Sequence, residues 1–233
     1  MIEEQSKITK TANLTYQSIT DAEMQKINKF TLTPLKPEDV FIFKAILCDN
    51  KVDRDNERLT LKALQTLEKI FVGKTVIKDH RPTSDNQVAR IYSTELIQGS
   101  EVLECKEPYT QLTASLYMVK TASNADLITE IQGGIKKEGS VSFSVADRIC
   151  SVCGKSAYHC SHYAGQNYND GENIKKCVFL LDDIKDAYEF SLVAIPAQKA
   201  AGISKNYNKN LDDLISKAKN INIKISKKAD KNA

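Results

Sequence analysis

The sequence predicts a mainly β protein with flanking helices, an α+β chain, on three observations. Six or more short runs rich in β-branched and aromatic residues lie between positions 40 and 195. Only two or three stretches keep a helical period, and each is short. Residues 138–162, EGSVSFSVADRICSVCGKSAYHCSH, join an alternating strand pattern to three cysteines and two histidines at metal-ligand spacing. Many strands with few helices point to a barrel or sandwich.

The elements follow in order. Residues 1–37 lack a sustained apolar period and read as a loosely attached arm, with a short helix possible from Asp21 to Phe30. Val40–Asp49 (VFIFKAILCD) is a buried strand, followed by the turn-rich DNKVDRDNE. Leu59–Phe71 reads as a helix with Thr60 as N-cap, leucines 61, 64 and 67 on one face, and Gly73 beyond its end. Lys74–Ile97 gives a short strand, a loop around Asp79, His80 and Pro82, and a second strand from Val88. His80 therefore sits at a strand end entering a loop, where functional side chains are held by a rigid scaffold. Gln111–Val119 alternates as a strand, Thr121–Ile131 is a helix ended by Gly133 and Gly134, and SVSFSV follows. Cys177–Ile184 and Tyr188–Ile195 are two further strands, stopped by Pro196. One weak amphipathic helix is expected at Leu211–Ala218.

The 233 residues and 41% hydrophobic content suit one sizeable domain, residues 38–204, with an insert at 148–178. The net charge of +3 is uneven. The segment from Lys205 to the end carries eight lysines against three aspartates, leaving 25 basic and 27 acidic groups on residues 1–204. The basic tail, 205–233, reads as mostly disordered, and the near-neutral body argues against a nucleic-acid-binding face. No apolar run approaches the ~20 residues of a membrane span, and the start MIEEQSKITK lacks a signal-peptide layout, so the chain is expected to stay in the cytoplasm. Reduced thiols then fit the six cysteines better than disulfides do.

Cys150-x2-Cys153 and Cys160-x-His162 offer three thiolates and an imidazole, a soft tetrahedral set suited to structural Zn2+. Cys177 is an alternative fourth ligand, and His159 a weaker one. The candidate nucleophiles are Ser140, Ser142 and Ser144, which share one face of a strand. A serine hydroxyl needs a neighbouring imidazole to take its proton. With two of the three histidines in the cysteine-rich insert, His80 is the independent base.

VIKDH, GSVSFSV and DAYEFSLVAIPAQKAAG occur in an order that resembles the prohead (capsid maturation) proteases of tailed bacteriophages. The likeness spans about residues 38–204. Members from phages of Gram-positive bacteria, with a CxxCG…CxH insert, resemble the chain further. The resemblance implies a herpesvirus assemblin-like β-barrel with a small zinc-binding insert and a histidine-activated serine. Carried over residue by residue, it implies a catalytic His80 and Ser140, with Ser142 as the alternative because it stands where the family has glycine. The implied third member is Glu189, with Asp186 and Asp79 as alternatives; Arg148 or backbone N–H groups beside Ser140 would serve as oxyanion donors. The implied substrates are phage scaffolding and major capsid proteins, and the chain itself, inside the immature capsid in the host cytoplasm, with homo-oligomers possible there. The rival expectation is a zinc-stabilised assembly protein that cuts nothing.

Overall fold

The structure, a computed structural model, describes residues 19–169 and 174–204. The first 18 residues of the expected arm, the Leu211–Ala218 helix and the basic tail lie outside the described residues.

The elements in chain order are α1 (Asp21–Ile27), β1 (Val40–Asp49), β2 (Glu57–Leu59), α2 (Leu61–Ile70), β3 (Thr75–Lys78), β4 (Ala89–Val102), β5 (Pro108–Val119), α3 (Ala125–Gln132), β6 (Gly139–Val145), β7 (Arg148–Cys150), β8 (Asn167–Asn169), β9 (Ile174–Lys176), β10 (Phe179–Leu181), β11 (Ile184–Leu192) and β12 (Gly202–Ser204). The protein is mainly β with a few helices. Seven strands form one sheet in the order β12-β1-β5-β4-β3-β11-β6, three form a second in the order β2-β10-β7, and β8 pairs with β9. In the large sheet only β3 and β11 run parallel. The expected closed barrel is not formed. Among the described residues the two ends of the sheet meet at an isolated antiparallel bridge, Glu138 to Gly202, and no continuous ladder seals them.

The alternation of each strand sets two faces. Phe43, Ala45, Val76, Ile91, Leu116, Phe190 and Leu192 turn inward, and α2 lays Ala63, Leu64 and Leu67 on them. Burying each of the larger side chains contributes about 1.5–3 kcal/mol. Thr60 caps α2 as its sequence position predicts, accepting from the Ala63 N–H at 3.1 Å and donating to Asp182 Oδ1 at 2.5 Å. The helix starts two residues later than expected, because Leu59 belongs to β2 and Thr60 is the cap, and ends one residue earlier, with Phe71 as its C-cap.

Residues 21–27 correct the expectation of a loose arm. They form α1, closed by a capping box between Thr20 and Glu23, and bury Met24 and Ile27 with Tyr92 and Tyr117 on the opposite face of the sheet. Of the two final strands read from the sequence, the first splits: Phe179–Leu181 joins the small sheet, and β11 starts at Ile184 rather than Tyr188.

Candidate active site and candidate metal centre

The candidate active site grows from three neighbouring strands. Register places Thr75 of β3 beside Glu189 of β11, and Glu189 beside Ser142 of β6. The inward residues of these strands are Val76, Phe190, Val141 and Phe143, so Thr75, Glu189 and Ser142 form a row on the other face. The next row on that face holds Ile77, Ser191 and Ser140.

His80 is brought to this row by a strained turn. Asp79 and His80 both take the left-handed region, with φ of 55° and 50°, which costs about 1 kcal/mol or more for each non-glycine residue. Four hydrogen bonds hold the turn. The Asp79 N–H donates to the Leu192 carbonyl at 3.0 Å, the His80 N–H donates to Ser191 Oγ at 3.0 Å, and the Asn86 amide donates to the carbonyls of Lys78 and Arg81 at 2.7 and 2.8 Å. Strain kept by this many contacts is a feature of functional sites.

The resulting cluster is tight. His80 Nδ1 lies 2.7 Å from Glu189 Oε1, Ser142 Oγ lies 3.1 Å from the same nitrogen, and Ser142 Oγ lies 2.5 Å from Glu189 Oε1. The His80 side chain is 40% exposed and that of Glu189 only 7%, so the imidazole faces solvent while the carboxylate supports it from below. With Glu189 ionised, the hydrogen bonds fix the roles: the Ser142 hydroxyl and the His80 Nδ1–H both donate to Oε1.

Of the two serines carried over from the family pattern, the cluster contains Ser142 and not Ser140. Ser140 pairs with Ser191, one row away, and takes part in no described hydrogen bond to His80. Its place opposite Ser191 rather than Glu189 is the physical reason. Ser144 meets Tyr188 instead, 3.1 Å from its hydroxyl. Asp186 is bound to Lys74 at 3.1 Å, which holds its carboxyl below the usual range with help from the Ala187 N–H. Asp79 contributes its backbone turn. Arg148 pairs with Glu57 at 3.0 Å.

A cleft of about 430 Å3 adjoins β6 and is lined by Ser140, Ser142, Phe143, Arg148, Leu47 and Gln198, among others. It runs along an open strand edge. The Glu138 carbonyl accepts from the Val193 N–H while the Gly139 N–H turns the other way, to Ala201. Antiparallel alternation then points the N–H and C=O groups of Val141 and Phe143 away from β11, and both residues line the cleft. Gly139 begins this strand because a Cβ there would fall on the Phe190 ring.

The metal centre is separate. Cys150, Cys153, Cys160 and His162 bring their ligand atoms within 4.8 Å of one another and could hold a metal ion. Cys150 ends β7, the turn that follows is closed by the Gly154 N–H to the Cys150 carbonyl at 2.9 Å, and Gly154 takes φ of 69°. Cys153 to Cys160 is 3.5 Å, and His162 Nδ1 lies 3.3 Å from Cys160 and 3.6 Å from Cys150. A tetrahedral ion with ligands near 2.0–2.3 Å needs separations of about 3.3–3.8 Å, which these match.

Burial opposes ionisation of Cys150, but the N–H groups of Cys153 and Val152 and the adjacent thiols outweigh it and bring the thiol down to about 7. Cys177, the expected alternative ligand, stands outside the four-residue cluster. It is fully buried 3.7 Å from Cys150, and burial pushes its thiol up to about 12. A thiol kept protonated there can donate its S–H to the Cys150 sulfur. His159 lies on a single helical turn outside the cluster.

Comparison with family models, curated proteins and solved structures finds no match to this chain. No helix among the described residues is long and apolar enough to cross a membrane. Sequence reasoning missed Ser191 and Asn86, which hold the His80 turn. A serine two residues after a candidate acid, on the same face of one strand, was the available signal for the first of them.

Proposed function

We propose that the chain is a serine endopeptidase of the prohead-maturation kind, acting through Ser142, His80 and Glu189. The observation that carries this reading is the meeting, within 2.5–3.1 Å, of a hydroxyl, an imidazole and a buried carboxylate from segments up to 109 residues apart. The resemblance of VIKDH, GSVSFSV and DAYEFSLVAIPAQ to that protease family supports the same residues, with Ser142 taking the place given first to Ser140. An assemblin-like architecture fits this reading, with the sheet open along β6.

In the arrangement described, Ser142 and His80 share one acceptor. Attack requires the hydroxyl to leave Oε1 and donate to an unprotonated ring nitrogen. If the imidazole turns so that Nε2 meets Ser142 while Nδ1–H keeps Glu189, His80 takes the serine proton as Oγ bonds to the peptide carbonyl carbon. It then returns that proton to the departing amine, and water releases the acyl group by the same path. The open edge of β6 suits an extended substrate, whose backbone would pair with Val141 and Phe143 beside the nucleophile. The resemblance implies scaffolding and coat-protein segments as its substrates. Zn2+ at Cys150, Cys153, Cys160 and His162 would be structural, since four protein ligands leave no open position.

The second reading, a metal-stapled assembly platform without activity, draws on the short Ser142–Glu189 contact, which occupies the hydroxyl. Digestion of a library of extended peptides separates the two. The protease reading expects cleavage by the native chain and loss with His80→Ala; cleavage undiminished in that variant rejects it.

A further inference from the structure

We infer that Thr75 is a positioning residue for Glu189, its hydroxyl serving the carboxylate oxygen that His80 and Ser142 do not use. This rests on the serine–histidine–glutamate reading and deepens it. Among the described residues, two buried side-chain polar atoms have no hydrogen-bond partner: Thr75 Oγ1 and Glu189 Oε2. They belong to directly paired positions of β3 and β11, on the same face of the sheet. The two atoms do not bond each other in the arrangement described, but adjacent strands are about 4.7–4.9 Å apart, so a side-chain rotation brings a threonine hydroxyl within reach of a glutamate carboxylate one strand away. Leaving either atom unsatisfied in a buried setting is costly, and each is the complement the other lacks: a hydroxyl that can donate and a carboxylate oxygen that can only accept.

The consequence falls on the other oxygen. A glutamate χ3 torsion is broad and nearly two-fold, so a carboxylate held at one oxygen only can turn and offer either to its neighbours. With Oε2 held by Thr75, Oε1 is fixed toward His80 Nδ1 and Ser142 Oγ. Thr75 touches neither substrate nor the nucleophile. It lies outside the cleft along β6 and lines a different hollow, with Lys78, Arg90 and Tyr117.

The test uses the full chain with Thr75→Val, which keeps the branched shape and removes the hydroxyl, and Thr75→Ser, which restores it. The first readout is the downfield proton resonance of His80 Nδ1–H in 15N-labelled protein, assigned by its loss in His80→Ala. The expected result is a sharp resonance in the native chain and in Thr75→Ser, and its broadening or loss in Thr75→Val with the rest of the spectrum retained. The second readout is peptide cleavage, where Thr75→Val should lower kcat about tenfold with KM unchanged, and Thr75→Ser should recover it. A native resonance in Thr75→Val overturns the inference, whatever the cleavage result. A chain that cleaves nothing but loses the resonance in Thr75→Val sinks the peptidase reading alone and leaves the positioning role standing.

Discussion

Replacing Ser191 by alanine tests how the His80 turn is held. Ser191 is fully buried and accepts from the His80 N–H at 3.0 Å. Alanine fills almost the same space, so the change removes one acceptor and little else. The bond is part-buried, with His80 itself exposed, so its loss costs about 0.5–1.5 kcal/mol. A chain of 150–250 residues loses about 2–4 °C of Tm per kcal/mol, which gives a fall of about 1–6 °C by calorimetry. Peptide cleavage should fall as well, by roughly tenfold to a hundredfold if the imidazole shifts by a fraction of an ångström. Ser140→Ala is the matched control, one strand away on the same face; its Tm should stay within about 2 °C of the native value, since surface-like substitutions fall within about ±0.5 kcal/mol. An unchanged Tm and rate in Ser191→Ala would refute the claim that this hydroxyl holds the turn.

Other outcomes follow from the same geometry. Elemental analysis of protein purified without chelator should give one zinc per chain; Cys153→Ser should lose it, whereas Cys177→Ala should keep it, because Cys177 lies outside the ligand set. Gly139→Ala should destabilise by about 1–3 kcal/mol, measured by urea denaturation, because the added methyl meets the Phe190 ring. The Lys62 ammonium and the Thr60 hydroxyl hold the Asp182 carboxyl below its ordinary value, so its stabilisation is present above the unfolded value near 3.9 and is lost as pH falls through the lower folded one. Asp182 is partly exposed, so Asp182→Asn should cost no more than about 1 kcal/mol at pH 7, and the two proteins should converge in stability once the pH lies below the lowered folded value.

What could be read from the chain divides along physical lines. Runs such as VFIFKAILCD and QLTASLYMV announce strands because burial on a pleated face demands those residue types, and both are strands in the structure. The metal cluster was legible because its four ligands lie within 13 residues and the turn at Gly154 is local. Contacts that depend on register were not. Ser140 and Ser142 share a face of β6, and only the alignment of β6 with β11 puts Ser142, rather than Ser140, opposite Glu189. The same holds for Ser191, whose partner His80 lies 111 residues away. The docking of α1 was missed because its apolar signal is a single pair, Met24 and Ile27. Strand number left barrel and sandwich open and the resemblance implied a β-barrel, yet among the described residues the sheet ends are joined by one bridge, at Glu138 and Gly202.

The account depends most on Ser142 being the hydroxyl that reacts. Treatment of the native chain with a fluorophosphonate, followed by peptide mapping, measures this directly. The account predicts a single adduct on Ser142 that disappears in His80→Ala while Ser140→Ala still labels. An adduct on Ser140, or equal labelling of Ser142 with and without His80, would contradict it.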